Sequence, residues 1–177
     1  EAPCIPNCDG LLCTADNGCG TPCGCAQGDI CNPDGACVDA SAGDTCDTAF
    51  EVTDLNTPLA GNTDLSFADY GFDSCLGSSG KGDGSKDQVW TYDVYAGNTY
   101  SVTLAPQGWD AALYVIVADD CADIDSACVG SDDSGLSSGS EEVSFTASND
   151  GTMFIFVDGW SNSYNQSGPY TLAVSEN

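Results

Sequence analysis

The sequence contains no histidine and no arginine, and Lys81 and Lys86 are its only basic side chains. Without an imidazole, neither a Ser-His-Asp nor a Cys-His arrangement for nucleophilic catalysis can be built. Two lysines cannot draw the basic stripe that neutralises phosphates, which excludes nucleic acid and anionic membrane as partners. Long hydrophobic runs are missing too. The longest, Ala111 to Ala118, falls well short of a membrane span. No leader pattern is visible at Glu1, so the expectation is a mature form, exported and trimmed.

What the chain has instead is acid and cysteine. Its 28 acidic residues against two bases leave a formal charge of −26, which favours solubility but strains a compact state by self-repulsion. Cations are therefore expected to help hold it together. Twelve cysteines are present: Cys4, Cys8, Cys13, Cys19, Cys23, Cys25, Cys31 and Cys37 crowd together, while Cys46, Cys75, Cys121 and Cys128 are spread over the rest. Cys19 and Cys23-Gly24-Cys25 have a superficial look of a zinc or iron site, but the spacings match no such template. An even, clustered set reads as a disulfide framework, which persists in an oxidising compartment, so the chain is expected to be secreted, extracellular or displayed at the cell surface. Eight cysteines allow on the order of a hundred connectivities and spacing does not choose among them. In the larger part, Cys46 with Cys75 and Cys121 with Cys128 are the natural pairs.

The organisation changes near residue 40. Residues 1–38 are rich in Cys, Pro, Gly, Asn and Asp and are too short to bury a useful core, so cross-links must replace one. Residues 39–45 form a small polar linker, and residues 46–177 read as strands. Gln88 to Ala96 and Thr99 to Ala105 alternate around Gly97-Asn98 as the clearest hairpin. Ala111 to Ala118 is continuously apolar, as suits a strand buried on both faces. Glu142 to Ala147 and Thr152 to Val157 flank Asn149-Asp150-Gly151 as a second hairpin, Pro169 to Val174 closes the chain, and Ala49 to Val52 and Thr57 to Leu65 are weaker strands. Eight short strands without helical periodicity argue for an all-β fold: an antiparallel jelly-roll-like β-sandwich with a small disulfide-rich N-terminal domain.

In their order and spacing, Gly43-Asp44-Thr45-Cys46, Cys75, Lys86-Asp87-Gln88-Val89-Trp90-Thr91-Tyr92, Gly97-Asn98-Thr99-Tyr100, Trp109-Asp110-Ala111-Ala112-Leu113-Tyr114, Phe156-Val157-Asp158-Gly159-Trp160 and Gly168-Pro169-Tyr170-Thr171-Leu172 resemble the bacterial pre-peptidase C-terminal domain over residues 43–175. The resemblance implies a jelly-roll sandwich of the kind appended to secreted proteases, supporting binding or secretion without catalysis. Cys4, Cys8 and Cys13 with Asn17-Gly18-Cys19-Gly20 and Gly28-Asp29-Ile30-Cys31 resemble a cysteine-rich repeat of secreted bacterial surface proteins. Within these 177 residues no peptidase precedes the sandwich, and the expected role shifts to binding, scaffolding or assembly.

Paired carboxylates could serve a glycosidase or an aspartic hydrolase, but with so many acids no motif singles out two, and no enzyme is expected. Calcium is the better use, since it takes six to eight oxygens from irregular loops. Asp83 with Asp87, Asp110, Asp119-Asp120 and Asp132-Asp133 stand out, and Asp87, Asp110, Asp132 and Asp133, at strand ends on one rim, are the candidate ligands. Against this, Asp also caps turns and solvates loops. Trp160 and Tyr164, in the polar loop Gly159 to Gly168, are the aromatic pair expected to be exposed for ligand contact; most other rings belong in the core. Asn165 opens a lone glycosylation sequon. Two readings remain. One is a self-assembling subunit of an extracellular filament or surface layer, with calcium-supported contacts and head-to-tail joints. The other is a monomeric secreted adhesion module that binds polysaccharide or protein, and a third source would be release from a larger hydrolase.

Overall fold

The computed structural model describes residues 29–31, 37–39, 42–75, 78–82, 84–160 and 166–177. The chain divides into two compact units, Glu1–Ala40 and Ser41–Asn177. In the first, β1 (Asp29–Cys31) pairs antiparallel with β2 (Cys37–Asp39). The side chains of the eight cysteines from Cys4 to Cys37 lie outside the described residues, as do Asp83, Tyr164 and Asn165.

The second unit is a β-sandwich. Its strands are β3 (Phe50–Glu51), β4 (Leu59–Asn62), β5 (Phe72–Cys75), β6 (Ser78–Lys81), β7 (Gln88–Val94), β8 (Thr99–Pro106), β9 (Ala111–Ala118), β10 (Cys128–Asp132), β11 (Glu141–Thr146), β12 (Gly151–Gly159) and β13 (Pro169–Glu176). One sheet runs β10-β9-β12-β7-β3 and the facing sheet β11-β8-β13-β4, with β5 and β6 forming a separate hairpin. All pairings are antiparallel except the short parallel contact of β3 with β7.

Neither expected hairpin forms. β7 pairs with β12 and β3, whereas β8 pairs with β11 and β13, so Gly97-Asn98 turns an arch from one sheet to the other. The same holds for β11 and β12. Burial sorts the strands. In β8, β11 and β13 only every second residue is fully buried, which suits a sheet with one wet face. In β9 and β12 six or more consecutive residues are buried, and these need cover on both faces. The two arches then bond to each other, Gly97 N–H donating to Ala147 O at 2.8 Å and Ala147 N–H to Asn98 O at 3.0 Å. Strands β5, β6 and β10 escaped the sequence reading because Ser-Ser-Gly-Lys and Cys-Val-Gly-Ser-Asp lack β-branched alternation, and β10 is broken by a bulge at Cys128/Gly130.

Between the sheets lies a core that includes Trp90, Tyr100, Leu104, Leu113, Val115, Ile155, Val157 and Leu172. It contains one polar relay. Trp90 Nε1–H donates to Tyr170 Oη at 2.8 Å, and Tyr170 O–H donates to Gln88 Oε1 at 2.7 Å. The relay joins β7 of one sheet to β13 of the other. Every polar atom in it is satisfied, as a dry interior demands.

The outer face of the five-stranded sheet carries a second core. Phe72 of β5 stacks on Tyr114 at 4.0 Å between centroids, and Phe156 meets Phe72 and Tyr70 edge-on. The cover is the segment from Tyr70 to the β5–β6 hairpin, together with the β9–β10 connection, from which Cys121, Ile124 and Ala127 pack inward. Disulfides hold it down: Cys46 bonds Cys121 and Cys75 bonds Cys128. The pairing expected from sequence proximity, Cys46 with Cys75 and Cys121 with Cys128, is thus replaced by two cross-links between the N-terminal cover and the β9–β10 connection. Bonds within either segment would have left the cover loose. With sequence separations of 75 and 53 residues, each closure removes about 4 kcal/mol of chain entropy from the unfolded state.

Two outcomes test this architecture. Peptide mapping under non-reducing conditions should recover Cys46 linked to Cys121 and Cys75 linked to Cys128. Tyr170→Phe leaves the buried Trp90 N–H without its acceptor and should lower unfolding free energy by about 1–3 kcal/mol in a urea titration, with the β-sheet circular dichroism unchanged.

Candidate functional site

At one rim of the five-stranded sheet, β10 and β12 end while β9 and β7 begin. The candidate ligands Asp132, Asp110 and Asp87 all occupy this rim, with Asp133 just beyond β10, but adjacent strands are about 4.8 Å apart. Three spacings separate β10 from β7, about 14 Å, so Asp132 and Asp87 cannot share an ion. Asp132 is occupied as a turn cap, its Oδ1 accepting from Ser134 N–H at 3.2 Å and its Oδ2 from Glu142 N–H at 2.9 Å. Asp110 is half-buried, and its carbonyl accepts from Trp160 N–H at 3.0 Å. Asp120 caps its own loop by accepting from Ala122 N–H at 2.9 Å. Among the described residues no three Asp, Glu, Cys or His side chains converge on a metal-sized space.

Asp87 has a different neighbour. On the outer face, β12 presents Phe154, Phe156 and then Asp158, while β7 presents Val89 preceded by Asp87. Continuing the β7–β12 register one step past the Val157–Gln88 pair sets Asp158 directly opposite Asp87. Cβ atoms at such positions are about 5 Å apart, a spacing at which like charges repel. Both side chains are fully buried. Asp87 Oδ2 accepts from the N–H groups of Asp69 and Tyr70, each at 3.0 Å, and Asp158 Oδ1 accepts from Gly159 N–H at 2.6 Å. Asp87 Oδ1, Asp158 Oδ2 and Gln166 Oε1 are buried without a hydrogen bond.

The backbone is thinned beside Asp158. Gly82 has φ of 81°, and a Cβ there would collide with Asp158 Oδ2. On the other face of β12, a Cβ on Gly159 would run into the main-chain oxygen and Cβ of Gln166 and into Ser85. Burial, then the charges of Asp69 and Asp44, push the Asp87 carboxyl up to about 7, against the pull of its two N–H donors. Burial, then the charge of Asp87, raises Asp158 well above the usual carboxylate range. Asp44 is raised as well, chiefly by burial, and its Oδ1 accepts from Phe67 N–H at 2.6 Å. Glu141, buried at the start of β11, is pushed up to about 7, first by burial and then by Asp132 and Asp133. Its two carboxylate oxygens accept from Gly135 N–H at 3.0 and 3.1 Å.

Sequence reasoning found Asp87 and missed Asp158, Asp44 and Glu141. The signal for Asp158 was the period-two outer row Phe154, Phe156, Asp158, which is hidden inside a run that is apolar on both faces. Of the expected aromatic pair, Trp160 is 40% exposed.

The opposite end of the same outer face is bare. Past Val89 the cover stops, and a groove of about 540 Å³ opens, lined by Glu51, Thr53, Thr91, Asp93, Tyr95 and Thr152 among others. β3 pairs with only Trp90 and Thr91 of β7. Val52 N–H donates to Thr91 O, and Val89 N–H to Gly43 O, so odd-numbered residues of β7 turn their main-chain groups toward this edge. By the same alternation Asp93 presents its N–H and C=O where β3 has ended.

No protein-family model and no curated protein matches the chain. Among solved structures it is similar to PliG from Aeromonas hydrophila, a periplasmic lysozyme inhibitor of g-type lysozyme, at 18% identity and a TM-score of 0.50 over 73% of this chain and 96% of that one. It is also similar to the pre-peptidase C-terminal domain of a collagenase from Bacillus anthracis, at 18% identity and a TM-score of 0.45 over 72% of this chain and 94% of that one. The likeness to PliG is one of fold. Formed disulfides agree with a secreted or periplasmic protein, and no helix of the described residues is long and apolar enough to cross a membrane.

The raised carboxyls carry a signed pH dependence. Asp87 and Glu141 bind protons more tightly folded than unfolded, so their contribution to stability is complete below about pH 4 and is lost as pH rises through about 7. In the presence of chelator, the melting temperature should fall between mildly acidic and mildly alkaline pH. Asp87→Asn and Glu141→Gln should each flatten that slope, as read by scanning calorimetry.

Proposed function

We propose that this chain is a secreted, non-catalytic structural subunit that assembles through strand addition at the open edge of β7. The observation that carries the reading is that edge. Asp93 offers an N–H and a C=O beyond the two-residue β3, beside a groove large enough for an incoming segment. Exposed strand edges recruit strands from neighbours unless blunted, and the groove's Thr91, Asp93 and Thr152 suit the polar side chains of such a segment. A head-to-tail contact of this kind, repeated without closing, makes a filament.

The buried carboxylates speak against hydrolysis. Asp87, Asp158 and Glu141 are sealed from solvent, and a general acid must reach its substrate. A second reading, a monomeric module that binds polysaccharide or protein, draws on Tyr95, 57% exposed at the groove, and on Trp160. PliG, a lysozyme inhibitor with a similar fold, is consistent with that use of the scaffold.

Electron microscopy and sedimentation of the purified protein distinguish the two. Regular polymers support the subunit reading. Asp93→Pro removes the outward N–H while sparing the β12 ladder, and should abolish polymers while leaving the monomer's melting temperature within a few degrees. Monodisperse wild-type protein at high concentration, with and without calcium, would sink the assembly reading and leave the binding module.

A further inference from the structure

Two carboxylates facing each other in a dry site are unstable as a bare pair. Asp87 and Asp158 are both fully buried and stand opposite on neighbouring strands. Each satisfies one oxygen with main-chain N–H groups and leaves the other without a partner. Both are acceptors, so neither can satisfy the other without a proton or a cation. The nearest base in sequence does not fill the gap: Lys86 is exposed, and its Nζ donates to the carbonyl of Asp64. Gly82 keeps a side chain out of the space beside Asp158 Oδ2.

We infer that Asp87 Oδ1 and Asp158 Oδ2 are the side-chain ligands of a calcium-class divalent cation, with main-chain carbonyls and water completing the shell. The side-chain donors are two carboxylate oxygens at strand ends. That is calcium chemistry; zinc calls for nitrogen or sulfur in a tetrahedron, and magnesium retains several waters in a strict octahedron. Two acidic side chains are fewer than a tight site uses, which fits the affinity of extracellular modules, about 10⁻⁴–10⁻³ M. The ion cancels the repulsion between the carboxylates at the facing ends of β7 and β12. This site is independent of the groove at the other end of the sheet and of the assembly it is proposed to serve.

The test uses the full chain, stripped with chelator and titrated with calcium chloride at mildly alkaline pH, read by calorimetric titration and by melting temperature. Wild type should gain several degrees in millimolar calcium. Asp158→Asn should raise the melting temperature in chelator, because a like charge has gone, and should weaken calcium binding by about tenfold or more, a loss typical even of outer-sphere partners. Asp87→Asn removes the other carboxylate, should weaken binding to a similar extent, and serves if Asp158→Asn does not fold. Asp132→Ala, which removes a turn cap, should lower stability equally with and without calcium. Calcium that leaves the wild-type melting temperature unchanged, or binds Asp158→Asn and Asp87→Asn as tightly as wild type, would overturn the assignment.

Discussion

The constraint on which the rest of this unit depends is that its central strands are apolar on both faces. β9 and β12 cannot leave either side in water, and the four-stranded sheet covers only one. Burying an aromatic or aliphatic side chain stabilises by about 1.5–3 kcal/mol, so the outer row of Tyr114, Ile116, Phe154 and Phe156 sets a large demand for cover. The chain meets it with material of low intrinsic strand propensity: a winding segment, a Ser- and Gly-rich hairpin and the β9–β10 connection. Such a lid has few ladder bonds of its own. The two disulfides join its halves and make the cover part of the fold.

The site follows from that lid. Where Gly82 and the segment around Asp69 close over the end of the outer row, they also close over Asp158 and Asp87, whose positions continue the apolar rows by simple alternation. Carboxylates placed there lose water without gaining a hydrogen bond to a basic side chain among the described residues. Proton uptake or a cation is then the available compensation. Where the lid stops, at the far end of β7, the same sheet shows polar residues and an unfinished edge. One face thus carries a sealed charged end and an open polar end, with an aromatic cluster between.

Much of the sandwich was legible from residues. Alternation in Thr99 to Ala105 and continuity in Ala111 to Ala118 report directly on one-sided and two-sided burial, and the strands fell where those patterns placed them. The hairpins were misread because Gly97-Asn98 and Asn149-Asp150-Gly151 are good turns in either an arch or a hairpin; local turn chemistry is silent on which sheet the next strand joins. β5, β6 and β10 were missed because their strand character comes from docking on the outer face and not from their own side chains.

The sequence by itself determined that this is an acidic, cross-linked, all-β chain without the groups for histidine-based catalysis, because composition and period-two patterning are properties of residue types and need no third dimension. Only the tertiary structure decided the partners. Cys46 found Cys121 and not Cys75, and Asp87 found Asp158 and not Asp132, because strand order in the sheet, and not distance along the chain, sets which side chains meet. Register then fixed what each pairing means: opposite positions on one buried face turn two ordinary aspartates into a strained pair, while the same residue type three strands away merely caps a turn.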